Sequence, residues 1–349
     1  MRPITRVSLL LPNRNNDRIL DHALDRLAAT TTYPDVEVIA VDDGSTDASR
    51  AILRRWRDGG RFPDFRLIEK PNSGVVDTLN AALEAASGDV CVQLDADASV
   101  ETPGWIERML GLLESDERVG VVTAKVVMDN GALHACGISI VVPEGLHDRP
   151  ARITEPPGRR RWHSRIQRVR EGEAPEAETR PAEVDAGIGC CMMYRRADAL
   201  AAGGYDPGFA PVWFDDIDLC LAIRARGGKA FCLPDVRVVH HVGARGSGSR
   251  YAPRRLARAA WRRAGRRLPH GVRGRLEDRY GIDFDIDHTP EQRERLRHHY
   301  AYWRRKWGWD LLNPDLSAVR ERWGDTEVCW RFDPERRRAG QTILENFSG

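Results

Sequence analysis

An α/β fold with a mostly parallel central sheet flanked by helices is what the sequence predicts, and two observations predict it. Residues 7–94 alternate continuous apolar runs with amphipathic helical stripes. Three of the runs end in polar or acidic clusters, where open parallel sheets bind ligands. Val7–Leu11 reads as a strand buried on both faces, and residues 17–30 follow as a helix with Ile19, Leu20, Ala23, Leu24 and Leu27 on one stripe. Val36–Val41 is a second buried strand, and Asp42-Asp43-Gly44-Ser45 is a turn. A helix from Asp47 to about Asp58 turns Ile52, Leu53 and Trp56 inward, and Phe65–Glu69 is a third strand. Pro71-Asn72-Ser73-Gly74 leads into a helix carrying Leu79, Ala82, Leu83 and Ala86, with Gly88 as its C-cap. Val90–Leu94 is a fourth strand.

Beyond this point strands are expected at 119–127, 138–142, 188–194 and 236–240, with a helix at 216–226. The stretch at about 143–183, rich in Pro, Glu and Arg, reads as a long mobile loop. Two units are expected, residues 1–249 and a basic, mainly helical C-terminal extension at 250–349.

The 54 Lys and Arg against 52 Asp and Glu leave a net charge of +2, which argues against a bulk nucleic-acid binder. No apolar run approaches the roughly 20 residues of a membrane span. Val7–Leu11 is also too short for a signal-peptide core, so a cytoplasmic protein is expected. The seven Cys form no C-x-x-C pair and read as reduced core thiols rather than a disulfide frame or zinc site.

Four clusters carry chemistry. Asp95-Ala96-Asp97 follows a buried strand, and two carboxylates at that spacing can share a hard divalent cation. Asp42 and Asp43 can accept from a nucleobase imide or a ribose; equally, Asp42 can simply end its strand while Ser45 or Thr46 caps the next helix. Asp215, Asp216 and Asp218 favour a helix N-terminus and repel one another, which could raise a pKa toward that of a general base. His240-His241 offers neutral imidazole, of interest as a metal ligand only beside Asp97.

Taken in order, these segments resemble family 2 nucleotide-sugar glycosyltransferases of the GT-A fold. The resemblance runs over roughly residues 5–245, through Val7–Pro12, Val38–Asp47, Asn72-Ser73-Gly74, Asn80, Gly88-Asp89, Leu94–Asp97, Gly189 before Arg195-Arg196, Gly203–Asp206, Phe214–Cys220 with Arg224, and His240. It implies a nucleotide-sugar site of Pro12, Asn13, Asp42, Asp43, Asn72, Gly74, Asp95 and Gly189. It further implies Mn²⁺ or Mg²⁺ on Asp97 and His240, with Asp216 as base supported by Asp215. Asp218 and Arg224 would pin their helix. The implied activity is inverting, divalent-metal-dependent transfer of one sugar from a nucleoside-diphosphate sugar to an acceptor hydroxyl, in cell-surface glycan or glycoconjugate assembly. Glycan, lipid-linked and small-molecule acceptors are all compatible with it. The sequence departs from the family at Asp215-Asp216, where Glu-Asp is usual, and has no Gln-x-x-Arg-Trp, which favours single-sugar transfer over processive synthesis. A sugar-1-phosphate nucleotidyltransferase would need a Gly-rich loop after the first strand, and Pro12–Asp17 contains no Gly. A non-catalytic nucleotide-sugar binder would not need the 215–216 acid pair.

Residues 250–279 hold eleven Arg against Glu277 and Asp278, with Leu256 and Trp261 interleaved. This reads either as a peripheral contact with the inner face of a membrane or as a solvated Arg-rich helix. No nucleic-acid partner is expected, since no aromatic stacking motif accompanies the charge. The aromatic run at 300–309 reads as packing of a C-terminal helix, the alternative being a sugar-binding groove.

Overall fold

The computed structural model describes residues 6–129, 131–140, 166–168, 179–241, 290–309 and 316–348. Most of the expected 143–183 loop and all of the basic 250–279 segment lie outside them. The first half alternates as the sequence predicts: β1 (Val7–Asn13), α1 (Asp17–Thr30), β2 (Val36–Asp43), α2 (Ser49–Asp58), β3 (Asp64–Lys70), α3 (Val75–Ala85) and β4 (Val90–Leu94). Then come β5 (Ala98–Val100), α4 (Trp105–Ser115), β6 (Val119–Met128), β7 (Leu133–Ala135), β8 (Ile138–Ile140), β9 (Ile166–Arg168) and β10 (Ala182–Val184). The second half holds β11 (Cys191–Arg195), α5 (Arg196–Ala201), α6 (Asp215–Arg224) and β12 (Lys229–His240). Helices α7 (Pro290–Trp307), α8 (Leu316–Trp323) and α9 (Pro334–Ser348) follow.

The central sheet runs β10-β12-β6-β11-β4-β1-β2-β3, with β5 added on β12 and β7 on β6. Its β4-β1-β2-β3 half is parallel, as expected. Elsewhere β11 enters antiparallel between β4 and β6, so the sheet as a whole is mixed. That insertion brings the start of β11 to the carboxyl end of β4, where a parallel strand would bring its own carboxyl end. Strands β1 and β2 run two residues past the expected ends, and the register pairs Asn13 with Asp42.

Several local expectations are corrected. Strand β12 starts at Lys229, seven residues early, because it crosses Pro234 with a register shift between Leu233 and Arg237. Strand β10 occupies the end of the expected loop, paired with β12. Gly88 is not a C-cap, since α3 is capped at Ala86. A Cβ at Gly88 would lie 2.6 Å from Ser8 Oγ and 2.9 Å from the Arg6 carbonyl, so close strand approach is what requires this glycine.

Helix α3 packs on β1 and β2, α2 on β3 and α4 on β6. The C-terminal helices join the same core. Trp303, Trp307 and Trp309 are buried and packed against one another in tilted and edge-to-face contacts, so the 300–309 run is packing rather than an open groove. Two buried ionic clusters complete the junction. Arg224 and Lys229 meet Glu183 and Glu327, and Lys306 meets Asp206 and Asp218 at 2.5 and 2.7 Å. Arg224 and Asp218 therefore pin α6, as expected, to β10 and to α7. Burial pushes the Asp218 carboxyl up to about 6 although Lys306 and Trp307 pull it back.

If α7 belongs to the core, Trp303→Ala should lower the unfolding free energy by about 3–5 kcal/mol, the usual cost of truncating a buried Trp. Urea denaturation followed by circular dichroism measures it; an unchanged midpoint would show that α7 is dispensable to the fold.

Candidate functional site

At the carboxyl ends of β1 and β2, Asn13, Asp42 and Asp43 are held in one hydrogen-bonded frame. Asp42 Oδ1 accepts from Asn13 Nδ2 at 3.0 Å, and its Oδ2 accepts from Ser45 N at 2.9 Å and Arg50 Nε at 2.8 Å. Burial alone would raise the Asp42 carboxyl, but these donors hold it below the usual carboxylate range. Asp43 Oδ1 accepts from Lys70 Nζ at 2.6 Å and Ser73 N at 2.8 Å, while Oδ2 accepts from Gly74 N at 2.9 Å. Ser45 does not cap α2; its hydroxyl accepts from Asn15 N and Asn13 Nδ2. A Cβ on Gly44, which has φ +70°, would lie 2.6 Å from Asn72 N, so the Asn72 turn sits directly against this strand end. Pro12 is buried in β1, just before Asn13.

At the end of β4, the strand next to β1, the 95–97 turn faces the last residue of β12. His240 Nε2 lies 3.2 Å from Asp97 Oδ1 and 3.8 Å from Asp95 Oδ2. The β12–β5 ladder pairs His240 with Ala98, and His241 N donates to the Asp97 carbonyl at 2.8 Å. This pairing carries the C-terminal end of β12 back to the 95–97 turn. Asp97 is buried, whereas Asp95 and His240 are partly open. Sequence reasoning paired Asp97 with His240, and the two are adjacent. The group whose ligand atoms all lie within 4.8 Å of one another is, however, Asp95, Cys190 and His240. Carboxylate and imidazole donors fit a divalent cation here.

Cys190 is a free thiol buried in the core, as expected, and its sulfur also belongs to this cluster. Its position follows from the antiparallel register, in which Leu94 pairs with Cys191 and Asp95 N donates to the Cys190 carbonyl at 3.2 Å. An antiparallel strand after Gly189 would have pointed to Cys190; the sequence pattern alone did not give strand direction.

The acid pair borders the same turn. Asp216 Oδ2 accepts from Gly189 N at 2.8 Å and Oδ1 from its neighbour Ile217 N at 2.8 Å. A Cβ on Gly189 would lie 2.3 Å from Gln93 Nε2 and 3.3 Å from Asp216 Cβ, so this glycine makes room for two side chains of the protein itself. Asp215 is buried and Asp216 partly open. Burial, and then the charge of Asp216, push the Asp215 carboxyl up to about 8.

The loop before this pair is strained and clamped. Trp213 and Phe214 both take left-handed backbone conformations, at φ 83° and 67°, where bulky residues are rare. Phe214 packs against His299, Tyr300 and Trp303 of α7. His299 Nε2 lies 3.2 Å from the Ala210 carbonyl, and Val75 N of α3 donates to the Pro211 carbonyl at 2.7 Å. A Cβ on Gly74 would lie 2.2 Å from Pro211 Cβ, so Gly74 lets the loop close onto α3. None of these clamps was legible in the sequence, because each joins segments more than 80 residues apart.

Residues 8–137 match the family model described as Glycosyl transferase family 2. Among curated proteins, the chain is 26% identical over 251 residues to "O-antigen biosynthesis protein RfbC" of Myxococcus xanthus, covering 70% of this chain and 18% of that protein. It is 35% identical over 114 residues to "Undecaprenyl-phosphate 4-deoxy-4-formamido-L-arabinose transferase" of Pseudomonas syringae, covering 32% of this chain and 34% of that protein. The chain thus spans no more than about a third of either relative. Among solved structures, it aligns with the crystal structure of GalNAc-T7 with UDP, GalNAc and Mn²⁺ at a TM-score of 0.50 and 16% identity, over 69% of this chain and 44% of that one. This likeness carries the fold, which is GT-A.

The Asp215 carboxyl has a signature in stability. Its folded pKa of about 8 lies above the roughly 3.9 of an unfolded Asp, so the folded state holds the extra proton between those values. The stabilisation is complete below about pH 4 and is lost as pH rises toward about 8. In Asp215→Asn this loss should disappear, so the two unfolding free energies should converge, or cross in favour of the variant, from acid to pH 8. Chemical denaturation across that range checks it, and parallel curves would show Asp215 ionised in the fold.

Proposed function

We propose that this chain, residues 8–137 of which belong to glycosyl transferase family 2, transfers one sugar from a nucleoside-diphosphate sugar to an acceptor hydroxyl with inversion, assisted by a divalent cation. One observation supports the reading. The consecutive residues Gly189 and Cys190 touch, respectively, Asp216 and the Asp95–His240 cluster, so a partly open carboxylate and a set of cation donors are tied to one short stretch of chain.

In this reading the nucleoside lies at the ends of β1 and β2, along Pro12, Asn13, Asp42, Asp43, Asn72 and Gly74. Asp42 and Asp43 each accept three bonds from the protein, which leaves each carboxylate about one lone-pair site for a base or ribose donor. The diphosphate points to the 95–97 turn, with Asp95, Asp97 and His240 as the cation's protein partners. When bound, the cation supplies positive charge where the diphosphate leaving group becomes more negative. Asp216 takes the proton of the acceptor hydroxyl; Gly189 N–H fixes one of its oxygens, and neutral Asp215 behind it spares the site a second charge. A single displacement from the face opposite the leaving group inverts the anomeric carbon.

The O-antigen and undecaprenyl-phosphate relatives support a cell-surface glycan or a lipid-linked acceptor. The Arg-rich 250–279 segment, outside the described residues, suits contact with an anionic membrane face, with work on the cytoplasmic side. No helix among the described residues is long and apolar enough to cross a membrane.

Incubation with a panel of nucleotide sugars and Mn²⁺, reading released nucleoside diphosphate, should single out one donor. With that donor, Asp216→Asn should keep donor affinity and lose about 10²–10⁴ in transfer rate. Near-normal transfer would move the base elsewhere, and no release or binding with any donor would remove the reading. His240→Ala should raise the Mn²⁺ needed for half-maximal activity by at least about tenfold; an unchanged titration would take His240 out of the cation site.

A further inference from the structure

Cys190 is not a residue that a site for Mg²⁺ would choose. Among the described residues, Asp95, Cys190 and His240 form the one group of three or more acidic, Cys or His side chains whose ligand atoms all lie within 4.8 Å of one another. Two donors on one cation at about 2.0–2.3 Å each are at most about 4.6 Å apart, so the three atoms are already gathered almost as closely as a shared ion needs. The gathering is built into the backbone. Asp95 follows β4, Cys190 precedes β11, and the Asp95 N–H bond to the Cys190 carbonyl fixes them side by side. His240 arrives on β12, held to the same turn by its pairing with Ala98.

The other cysteines differ. Cys91, Cys191 and Cys220 are buried thiols pushed up to about 12 by loss of solvent, and all three lie in β4, β11 or α6. Cys190 is buried too, but its sulfur lies within 4.8 Å of ligand atoms of a carboxylate and an imidazole that are both partly open to solvent. A thiolate beside Asp95 is repelled unless a cation lies between them. A cation bound by all three deprotonates a coordinating thiol outright. Oxygen, nitrogen and sulfur together suit Zn²⁺, Co²⁺ or Cd²⁺, whereas Mg²⁺ prefers oxygen and water.

We propose that Cys190 is a thiolate ligand in the cation site, and that the site thereby takes a thiophilic divalent cation in preference to Mg²⁺. The inference rests on the reading that the cation binds beside Asp95 and His240. Binding replaces the S–H bond of Cys190 by a sulfur–metal bond and releases one proton to solvent, with no change of oxidation state.

The test uses the full chain, stripped with a chelator and titrated with Co²⁺, Cd²⁺ or Mg²⁺ alone, followed by ultraviolet and visible absorption. Wild type should develop the intense near-ultraviolet thiolate-to-cobalt band on adding Co²⁺. Cys190→Ala and Cys190→Ser should lose that band, bind Cd²⁺ at least about tenfold more weakly, and release one proton fewer per ion by calorimetry in buffers of different ionisation enthalpy. Cys329→Ala, altered in a distant buried thiol, should keep the band. Both small substitutions at residue 190 should leave the circular dichroism spectrum unchanged, which separates lost ligation from lost folding. Wild-type Co²⁺ binding without the near-ultraviolet band, or a band that survives in Cys190→Ala, would overturn the proposal while leaving the cation site itself in place. Failure of Co²⁺, Cd²⁺ and Mg²⁺ all to bind would overturn both.

Discussion

The start of β11 is the constraint on which the site depends. Gly189 N–H holds Asp216, and the carbonyl of the next residue holds the backbone of Asp95. Two consecutive residues thus set the spacing between the acid pair and the 95–97 turn. The dipeptide leads straight into β11, which is hydrogen-bonded on both sides, to β4 and to β6, so its C-terminal end is anchored in the middle of the sheet. A site carried by the ends of a rigid sheet keeps its geometry better than one carried by free loops.

The acid pair needs a second support, and α7 supplies it. Trp213 and Phe214 stay in left-handed conformations because aromatic packing on His299, Tyr300 and Trp303 over-determines them. Tyr302 and Lys306 hold Asp206 at one end of the loop, and Lys306 and Trp307 hold Asp218 at the other. Buried ion pairs of this kind contribute little net stability, since desolvation offsets the attraction. Their consequence here is positional: removing one partner leaves a buried charge uncompensated, so the loop has one allowed seat.

Much of this architecture was legible in sequence because burial on both faces of a strand writes a continuous apolar run. The runs ending at Leu11, Val41 and Leu94 located three strand ends, and the polar residues after them do meet at one edge of the sheet. Strand direction leaves no such mark. An antiparallel β11 has the same composition as a parallel one, so the mixed sheet and Cys190's place beside Asp95 could not be read. The three-residue β5 is too short for periodicity, and Pro234 concealed the first half of β12. One further signal lies in the scarcity of Lys. In a chain with four Lys, three of them, Lys70, Lys229 and Lys306, each pair with a buried or nearly buried carboxylate, at Asp43, Glu183 and Asp218.

The central claim is that the 95–97 turn and His240 gather one cation against a nucleoside diphosphate. Diffraction from crystals grown with Mn²⁺ and a nucleoside diphosphate, with anomalous data at the manganese edge, tests it most directly. The account predicts one anomalous peak at about 2.0–2.3 Å from His240 Nε2 and from an Asp95 or Asp97 oxygen, touching the diphosphate. A manganese peak and a diphosphate bound together elsewhere on the protein, with His240 contacting neither, would contradict it.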